Sequence, residues 1–135
     1  MNVEINLHDQ INEDEVLALY GANEWSSAKK PKQLMAALRN SHSLVTAQIS
    51  KKLVGLGNAI SDVHLVVYYP HMSVHPDFQG QGIGRKMMVA FQEKYSDFRQ
   101  QALIADGNAV KFYKSMGFER AGKTEPMWIY NGDDH

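Results

Sequence analysis

A glycine-rich turn joins a predicted strand, which ends at Val74, to a predicted helix, and its residue types suit the binding of an anion. The turn is formed by consecutive residues, namely Gln79, Gly80, Gln81, Gly82, Ile83, Gly84 and Arg85. Glycine lets a backbone bend and approach a ligand closely, and the free N–H groups at the start of the following helix attract negative charge. The segment therefore predicts a phosphate or pyrophosphate site, with Arg85 adding positive charge at its rim.

The spacing of the glycines disfavours two common kinds of phosphate site. Gly80, Gly82 and Gly84 are each two residues apart, whereas the dinucleotide fingerprint needs G-x-G-x-x-G and the P-loop needs Lys and then Ser or Thr after its last glycine. Both of those nucleotide sites are disfavoured. A turn of this composition is also compatible with a tight connection that binds nothing, so other residues must decide its role.

Four helices are predicted from capping residues and from apolar residues that recur with a helical period. They lie at 12–21, 31–40, 82–95 and 109–115. The third follows the glycine-rich turn directly, and its predicted buried stripe is Ile83, Met87, Met88 and Phe91. This helix would present its N-terminus to a bound anion.

Strands are predicted where β-branched and aromatic residues are concentrated between turn residues. The predicted segments are 44–49, 53–60, 65–74, 102–105, 118–120 and 127–130. Pro70 interrupts the third segment and removes a ladder hydrogen bond, which predicts a bulge, a bend or a split between strands there. The order of helices and strands indicates a mixed α/β fold around one sheet.

Composition excludes several classes of protein. The chain has 135 residues and a formal net charge of -1, which favours one domain spanning 1–135 and gives no support for nucleic-acid binding through overall charge. It contains no cysteine, which excludes disulfides, Cys-ligated zinc and a Cys nucleophile, and the histidines show no metal-ligand spacing. No secretory signal or membrane-length apolar run is visible, so we expect a cytoplasmic protein with no membrane partner.

Two motifs make the chain resemble the GNAT (Gcn5-related) N-acetyltransferases. Their acyl-CoA signature, Q/R-x-x-G-x-G/A after a strand ending in V-x-P, is present as Val74, Pro76, Gln79, Gly82 and Gly84. A second family element, A-x-x-x-Y followed by G-F, is present as Ala109, Tyr113, Gly117 and Phe118. The resemblance implies the GNAT fold, a mostly antiparallel central sheet with splayed strands flanked by helices.

The resemblance also implies how acetyl-CoA would bind. The amides of residues 79–84 would hold its pyrophosphate, and Met72, Ser73 and Val74 would run beside the pantetheine. An N–H near Met72 or Val74 would polarise the thioester carbonyl. Pro70 gives this chain a physical reason for the splayed strand of the family.

Tyr113 matches the family's tyrosine that protonates or hydrogen-bonds the departing CoA thiolate. The alternative is a helix tyrosine that packs beside Phe112. The chain departs from the family pattern at Asp106, where many members carry an asparagine that touches the pantetheine.

The family often takes the proton of the attacking amine with a carboxylate or histidine on the strand before the signature, which makes Asp62, His64 and His71 the candidates here. His71 lies in the region predicted to splay, and an ordinary histidine pKa of about 6.5 suits a base near neutrality. The alternative is a surface or interface histidine. His75 precedes a proline and is interpreted as a turn residue.

The resemblance implies an N-acetyltransferase that moves an acetyl group from acetyl-CoA to a primary amine of a small molecule or a peptide N-terminus. Without a cysteine to carry the acetyl group, direct attack in a ternary complex is the simplest route. A non-catalytic acyl-CoA-binding or sensing module and a nucleotide-phosphate-binding protein are the alternatives. A homodimer is the family's common form.

Overall fold

The computed structural model describes residues 2–8 and 10–132, which form four helices and six strands. The helices are α1 (Glu13–Ala22), α2 (Pro31–Arg39), α3 (Ile83–Lys94) and α4 (Ala109–Ser115). The strands are β1 (Val3–Leu7), β2 (Ser43–Ile49), β3 (Lys52–Ser61), β4 (Val66–Tyr68), β5 (Met72–Val74) and β6 (Gln100–Ala102). Short 3-10 turns cover Ser26–Lys29 and Pro76–Phe78.

One sheet carries the fold, with the strand order β1-β2-β3-β4-β6 and β5 also paired to β3. All pairings are antiparallel except that of β4 with β6. The tight turn at Ser50 and Lys51, which both have positive φ, joins β2 to β3 and lies between the strands predicted at 44–49 and 53–60. The expected mixed, mostly antiparallel sheet is confirmed.

Helices cover both faces of this sheet. On one face α1 and α2 bury a cluster that includes Leu19, Leu38 and Leu56. On the other face α3 buries its predicted stripe, of which Met87, Met88 and Phe91 are fully inaccessible to solvent. Alternate residues of β2 point to opposite faces of the sheet, since Leu44 belongs to the first cluster and Val45 to the second.

The sheet splits where Pro70 interrupts the chain. The amide of Tyr69 donates to the carbonyl of Ala102 on β6, whereas the amide of His71 donates to the side chain of Asn58 on β3. Pro70 itself has no N–H to place in either ladder. The strands β4 and β5 therefore pair with successive parts of β3, and β5 diverges from β6, which confirms the splayed strands.

Three strand predictions are wrong in detail and one strand was missed. The strand predicted at 102–105 lies at Gln100–Ala102, and neither 118–120 nor 127–130 forms a strand in the described structure. Both have strand-like composition, but neither joins a strand of the described sheet, and Ile129 is 99% exposed. The missed strand, β1, pairs with β2. Its residues, Val3–Leu7, alternate strictly between apolar and polar, so the strand could have been predicted from the sequence.

Within residues 2–8 and 10–132, no helix is both long enough and apolar enough to cross a bilayer.

Candidate active site

The glycine-rich turn has a backbone that only glycine adopts easily. Gly80 and Gly82 have φ of 77° and 84°, in the left-handed region. Gly82 is the N-cap of α3, and no side chain caps the helix there. The first amides of α3 thus have no acceptor within the helix. An ideal Cβ on Gly80 or Gly82 would meet no protein atom within 4 Å, so the turn is open to a ligand. It fits a phosphate group held by main-chain N–H groups.

Gly84 has a different environment, because it lies against α4. A Cβ there would lie 3.6 Å from Phe112 Cζ and 3.8 Å from Val74 Cγ2. Beside it, a guanidinium nitrogen of Arg85 donates to Ser115 Oγ over 3.1 Å, which also ties α3 to α4. Gly84 thus lies where the start of α3, the end of β5 and α4 meet, and a Cβ there would make only ordinary van der Waals contacts.

The divergence of β5 from β6 leaves a gap in the sheet, and the main chain of β5 faces this gap. His71 and His75 bond to β3 through their carbonyl and amide respectively. Because the groups of an antiparallel strand alternate sides, the amides of Met72 and Val74 point away from β3 and into the gap. In the described structure β5 has no strand partner other than β3. These two amides are therefore placed to bind an extended ligand.

Three polar side chains connect the glycine-rich turn to β5 and to the end of α1. The side-chain amide of Gln79 donates to the carbonyl of Val74 over 2.9 Å and to Asn23 Oδ1 over 3.2 Å. The amide nitrogen of Asn23 donates to Ser73 Oγ over 2.9 Å, and Ser73 is 2% exposed. The side chain of Gln79 thus links the turn to β5 and to Asn23, while the main chain of Gln79 forms part of the turn.

His71 lies in an aromatic cluster beside this network. Its Nδ1 is 2.8 Å from the hydroxyl of Tyr20, and its ring lies 5.4 Å from that of Trp25. Burial raises the pKa of Tyr20, so this phenol stays neutral. When Nδ1–H donates to the Tyr20 oxygen, the other ring nitrogen of His71 carries the lone pair that a base needs.

Tyr113 lies on α4 between two aromatic rings. Its ring packs edge-to-face against Phe112 at 5.0 Å and Phe118 at 5.8 Å. Burial raises its pKa above the ordinary tyrosine value, so the phenol remains a proton donor at neutral pH. The residue also lines a cavity between α4 and β6. Packing beside Phe112 and proton donation are compatible for this residue.

The other candidate bases have structural roles at some distance from the split. Asp62 Oδ1 accepts the amides of His64, Leu65 and Val66, and these bonds lower the pKa of this exposed carboxyl to about 2. A carboxylate so stabilised is a weak base. His64 is exposed in the same turn. His75 accepts the amide of Asp77, which confirms the turn predicted there.

Sequence reasoning missed Tyr20 and Asn23. Tyr20 lies on the buried face of α1, and Asn23 is the half-buried C-cap residue that follows the helix; they come 4 and 7 residues after Val16. The available signal was the position of Asn23 in line with the apolar stripe of Val16 and Tyr20, just after the helix, where a half-buried polar side chain needs partners. The partners themselves come from segments 50 or more residues away.

In the described part of the chain, no three His, Asp or Glu side chains converge to form a possible metal site.

Comparison with known proteins identifies the family. The model of the acetyltransferase (GNAT) domain matches residues 8–127. The chain belongs to the GNAT acetyltransferase family and is an acyltransferase.

Named relatives agree with this assignment. An uncharacterized N-acetyltransferase, ycf52, of Gracilaria tenuistipitata var. liui is 34% identical, across 87% of this chain and 68% of the relative. The protein of the same name from Pyropia yezoensis is 31% identical, across 87% of this chain and 70% of the relative. The solved structure of the GNAT family protein SP0256 from Streptococcus pneumoniae TIGR4 superposes with a TM-score of 0.81 and 28% identity, covering 97% of this chain and 100% of that one.

Proposed function

We propose that this enzyme transfers the acetyl group of acetyl-CoA directly to a primary amine of a small molecule or of a peptide N-terminus. The observation that carries the proposal is the position of the split: the free amides of Met72 and Val74 lead along β5 to the open glycine-rich turn at Gly80 and Gly82. This arrangement offers one continuous set of main-chain donors to a ligand with an extended arm and a pyrophosphate.

The chain's own groups have distinct roles in this proposal. The amides of residues 79–84, with Arg85 at the rim, bind phosphate, while Ser73 and Gln79 fix the relative position of turn and strand. Acetyl-CoA supplies an activated thioester. The amide of Met72 or Val74 withdraws charge from its carbonyl, which makes the carbon more open to attack.

Proton transfer is assigned to two residues. His71 takes a proton from the attacking amine, directly or through water, and the Tyr20 hydroxyl holds its ring. Tyr113 donates a proton or a hydrogen bond to the departing thiolate, which its raised pKa permits at neutral pH. With Trp25 beside His71, the acceptor panel must include aryl-alkyl amines.

The test is a screen of amines monitored by thiol release. Because the chain has no cysteine, a thiol reagent reacts only with the CoA that is set free. Acetyl-CoA-dependent release with at least one amine, and mass spectrometry of the N-acetyl product, is the expected result. Tight binding of acetyl-CoA without release for any amine would instead favour the non-catalytic sensing module.

A thermal-shift comparison tests the donor. Acetyl-CoA should raise the melting temperature in a concentration-dependent manner, while ATP and NAD should not. Stabilisation by ATP and none by acetyl-CoA would contradict the proposal and favour a nucleotide-phosphate site. The cytoplasmic location predicted from the sequence stays a prediction.

A further inference from the structure

The register of β3 against its two neighbours changes by one residue at the split. β5 pairs with β3 as far as Gly57, which faces Met72, and β4 pairs with β3 from Ile60, which faces Tyr68. Between these pairs β3 has two residues, 58 and 59, whereas the facing chain has three, 69 to 71. The extra residue makes a β-bulge centred on Pro70, because two residues of one strand then face a single residue of the other.

The bulge turns His71 to the opposite face of the sheet from Tyr69. Side chains two residues apart in a regular strand share a face. Tyr69 stacks on Phe91 of α3 with ring centroids 4.9 Å apart, whereas the imidazole of His71 contacts Tyr20 of α1. The extra residue therefore places the imidazole on the face of the sheet that α1 covers.

Asn58 faces this bulge from β3 and bonds to His71 in both directions. Its main-chain amide donates to the carbonyl of His71 over 3.1 Å. In a regular antiparallel pair the amide of His71 would donate back to the carbonyl of Asn58. Here that amide donates over 3.0 Å to Oδ1 of the Asn58 side chain. The side chain thus supplies the acceptor that the main chain supplies in a regular ladder.

A second contact fixes the direction in which the side-chain amide of Asn58 points. Its Nδ2 donates to Ser41 Oγ over 3.1 Å. The hydroxyl of Ser41 gives its single proton to the carbonyl of Ala37 over 2.9 Å, so its oxygen accepts from Asn58. The main-chain amide of His71 can only donate. Both partners therefore require the same orientation, with Oδ1 of Asn58 toward His71.

The burial of Asn58 makes this role specific to its residue type. The residue is 4% exposed within β3, and asparagine is disfavoured in strands. Buried polar side chains need hydrogen-bond partners, and both polar atoms of this side chain have one. An apolar side chain of similar size would fill the space but would leave the amide of His71 without this acceptor.

We propose that Asn58 is a positioning residue for the transfer reaction, because its side chain holds the bulge that directs His71 toward Tyr20. Tyr20 then holds the ring of His71, while Asn58 holds the main chain of the same residue. Asn58 acts through His71 and touches no reacting atom. The inference rests on the proposed role of His71 as the base, but the position of the ring can be measured without any reaction.

The first experiment measures the position of the His71 ring by NMR. Its centroid lies 5.4 Å from those of Tyr20 and Trp25, so their ring currents shift the signals of its carbon-bound protons. The spectra are recorded above the pH range in which histidine titrates. In Asn58→Leu these signals should move toward those of an exposed histidine. Unmoved signals would overturn the proposal. If Asn58→Leu does not fold, Asn58→Ala, which cannot overfill the site, replaces it with the same two outcomes.

A conservative variant and a matched control accompany this measurement. Asn58→Asp retains an oxygen for the amide of His71, and it should keep the ring signals and most of the turnover. The control is Ser61→Ala, also on β3, where the hydroxyl bonds to main-chain groups of Val63 and Val66 over 2.8 Å each. It should leave the His71 signals and turnover unchanged. A displacement in Ser61→Ala as large as in Asn58→Leu would indicate general loosening of β3 and overturn the proposal.

The second experiment compares kcat with donor affinity, using an amine that the wild type acetylates. In Asn58→Leu we expect kcat to fall about tenfold or more, because a misplacement of about 1 Å can cost about 100-fold. The dissociation constant of acetyl-CoA should change little, since β5 keeps its pairing with residues 55–57 of β3. An unchanged kcat together with displaced ring signals would overturn the positioning role.

Failure of this proposal and failure of the proposed function give different results. If the wild type acetylates no amine, the proposed function fails, and the NMR comparison still decides whether Asn58 holds the ring. If the wild type is active and Asn58→Leu is equally active, the proposed function stands and the role of Asn58 is refuted.

Discussion

The hydroxyl of Tyr20 lies 2.8 Å from Nδ1 of His71, and the two residues come from α1 and from the break between β4 and β5. The contact fixes the position of Nδ1. Because the imidazole ring is rigid, it also fixes the direction in which the other ring nitrogen points. A buried phenol can serve in this way because its raised pKa keeps it neutral.

Replacing this phenol tests the role of His71. Tyr20→Phe keeps the ring against Trp25 but removes the hydrogen bond. We expect kcat/KM to fall about fivefold, corresponding to a hydrogen bond of about 1 kcal/mol, with unchanged acetyl-CoA affinity. His71→Gln should lose more and should also abolish the acid limb of the pH–rate profile. An acid limb that persists in His71→Gln would assign the base elsewhere.

Gly82→Val tests the placement of the pyrophosphate. The side chain would project into the open side of the turn and would also strain a backbone with φ of 84°. We expect acetyl-CoA affinity to fall at least tenfold by calorimetry. Gly122→Val is the matched control, since Gly122 has φ of 60° and equally open surroundings. The control should lose a similar amount of stability, about 1–2 kcal/mol, but keep its affinity. Equal loss of affinity in both variants would attribute the effect to strain alone.

Tyr113→Phe tests the proton donor on the leaving-group side. The ring contacts with Phe112 and Phe118 are retained while the hydroxyl is removed. We expect turnover to fall about 100-fold, in the range of general-acid catalysis, with unchanged acetyl-CoA affinity. Because burial raises the pKa of Tyr113, the wild type should lose no activity through its ionisation as the pH rises from 7 to 9. Unchanged turnover in Tyr113→Phe would remove the residue from the mechanism.

Asp62 gives a prediction about stability and pH. Its pKa is lowered to about 2 in the folded chain, against about 3.9 in an unfolded one. The stabilisation is therefore complete above the unfolded pKa and is lost as the pH falls toward 2. In urea denaturation, Asp62→Ala should be less stable than the wild type at pH 6, and the difference should shrink between pH 4 and pH 2. Asp97→Ala, at an exposed position, should show no such trend.

Local patterns predicted those parts of the fold whose causes are local. The glycine-rich turn, the apolar stripe of α3 and the break at Pro70 each follow from residues within a few positions of one another. Asn12 and Asp14 are the two caps that the sequence allows for α1, and the structure shows Asn12 accepting the amide of Glu15. Steric freedom, periodicity and a missing N–H act within the chain segment that carries them.

Predictions were less complete for features that depend on contacts with residues far away in the sequence. The segments 118–120 and 127–130 have strand composition, but a strand exists only where a second backbone provides the ladder. Tyr20 and Asn23 were missed as site residues for the same reason, because their partners His71 and Ser73 are 51 and 50 residues away.

Asn23 provides the last test, of a residue that positions the cofactor turn without touching the reacting atoms. Its side chain bonds to Ser73 and Gln79 and also to the carbonyl of Leu19 at the end of α1. We expect Asn23→Ala to raise the dissociation constant of acetyl-CoA several-fold, because the turn loses its link to the end of α1 and, through Asn23, to Ser73, and to leave kcat nearly unchanged.

Asn40→Ala is the matched control for Asn23→Ala. Asn40 bonds in the same way to the carbonyl four residues before it, at the end of α2, over 2.7 Å. Both variants thus lose a side-chain bond to a carbonyl at a helix end, so the loss of that bond is common to both. Only Asn23→Ala should weaken acetyl-CoA binding, since only Asn23 also contacts the turn. If Asn40→Ala weakened binding equally, the network between α1, β5 and the turn would have a purely structural role.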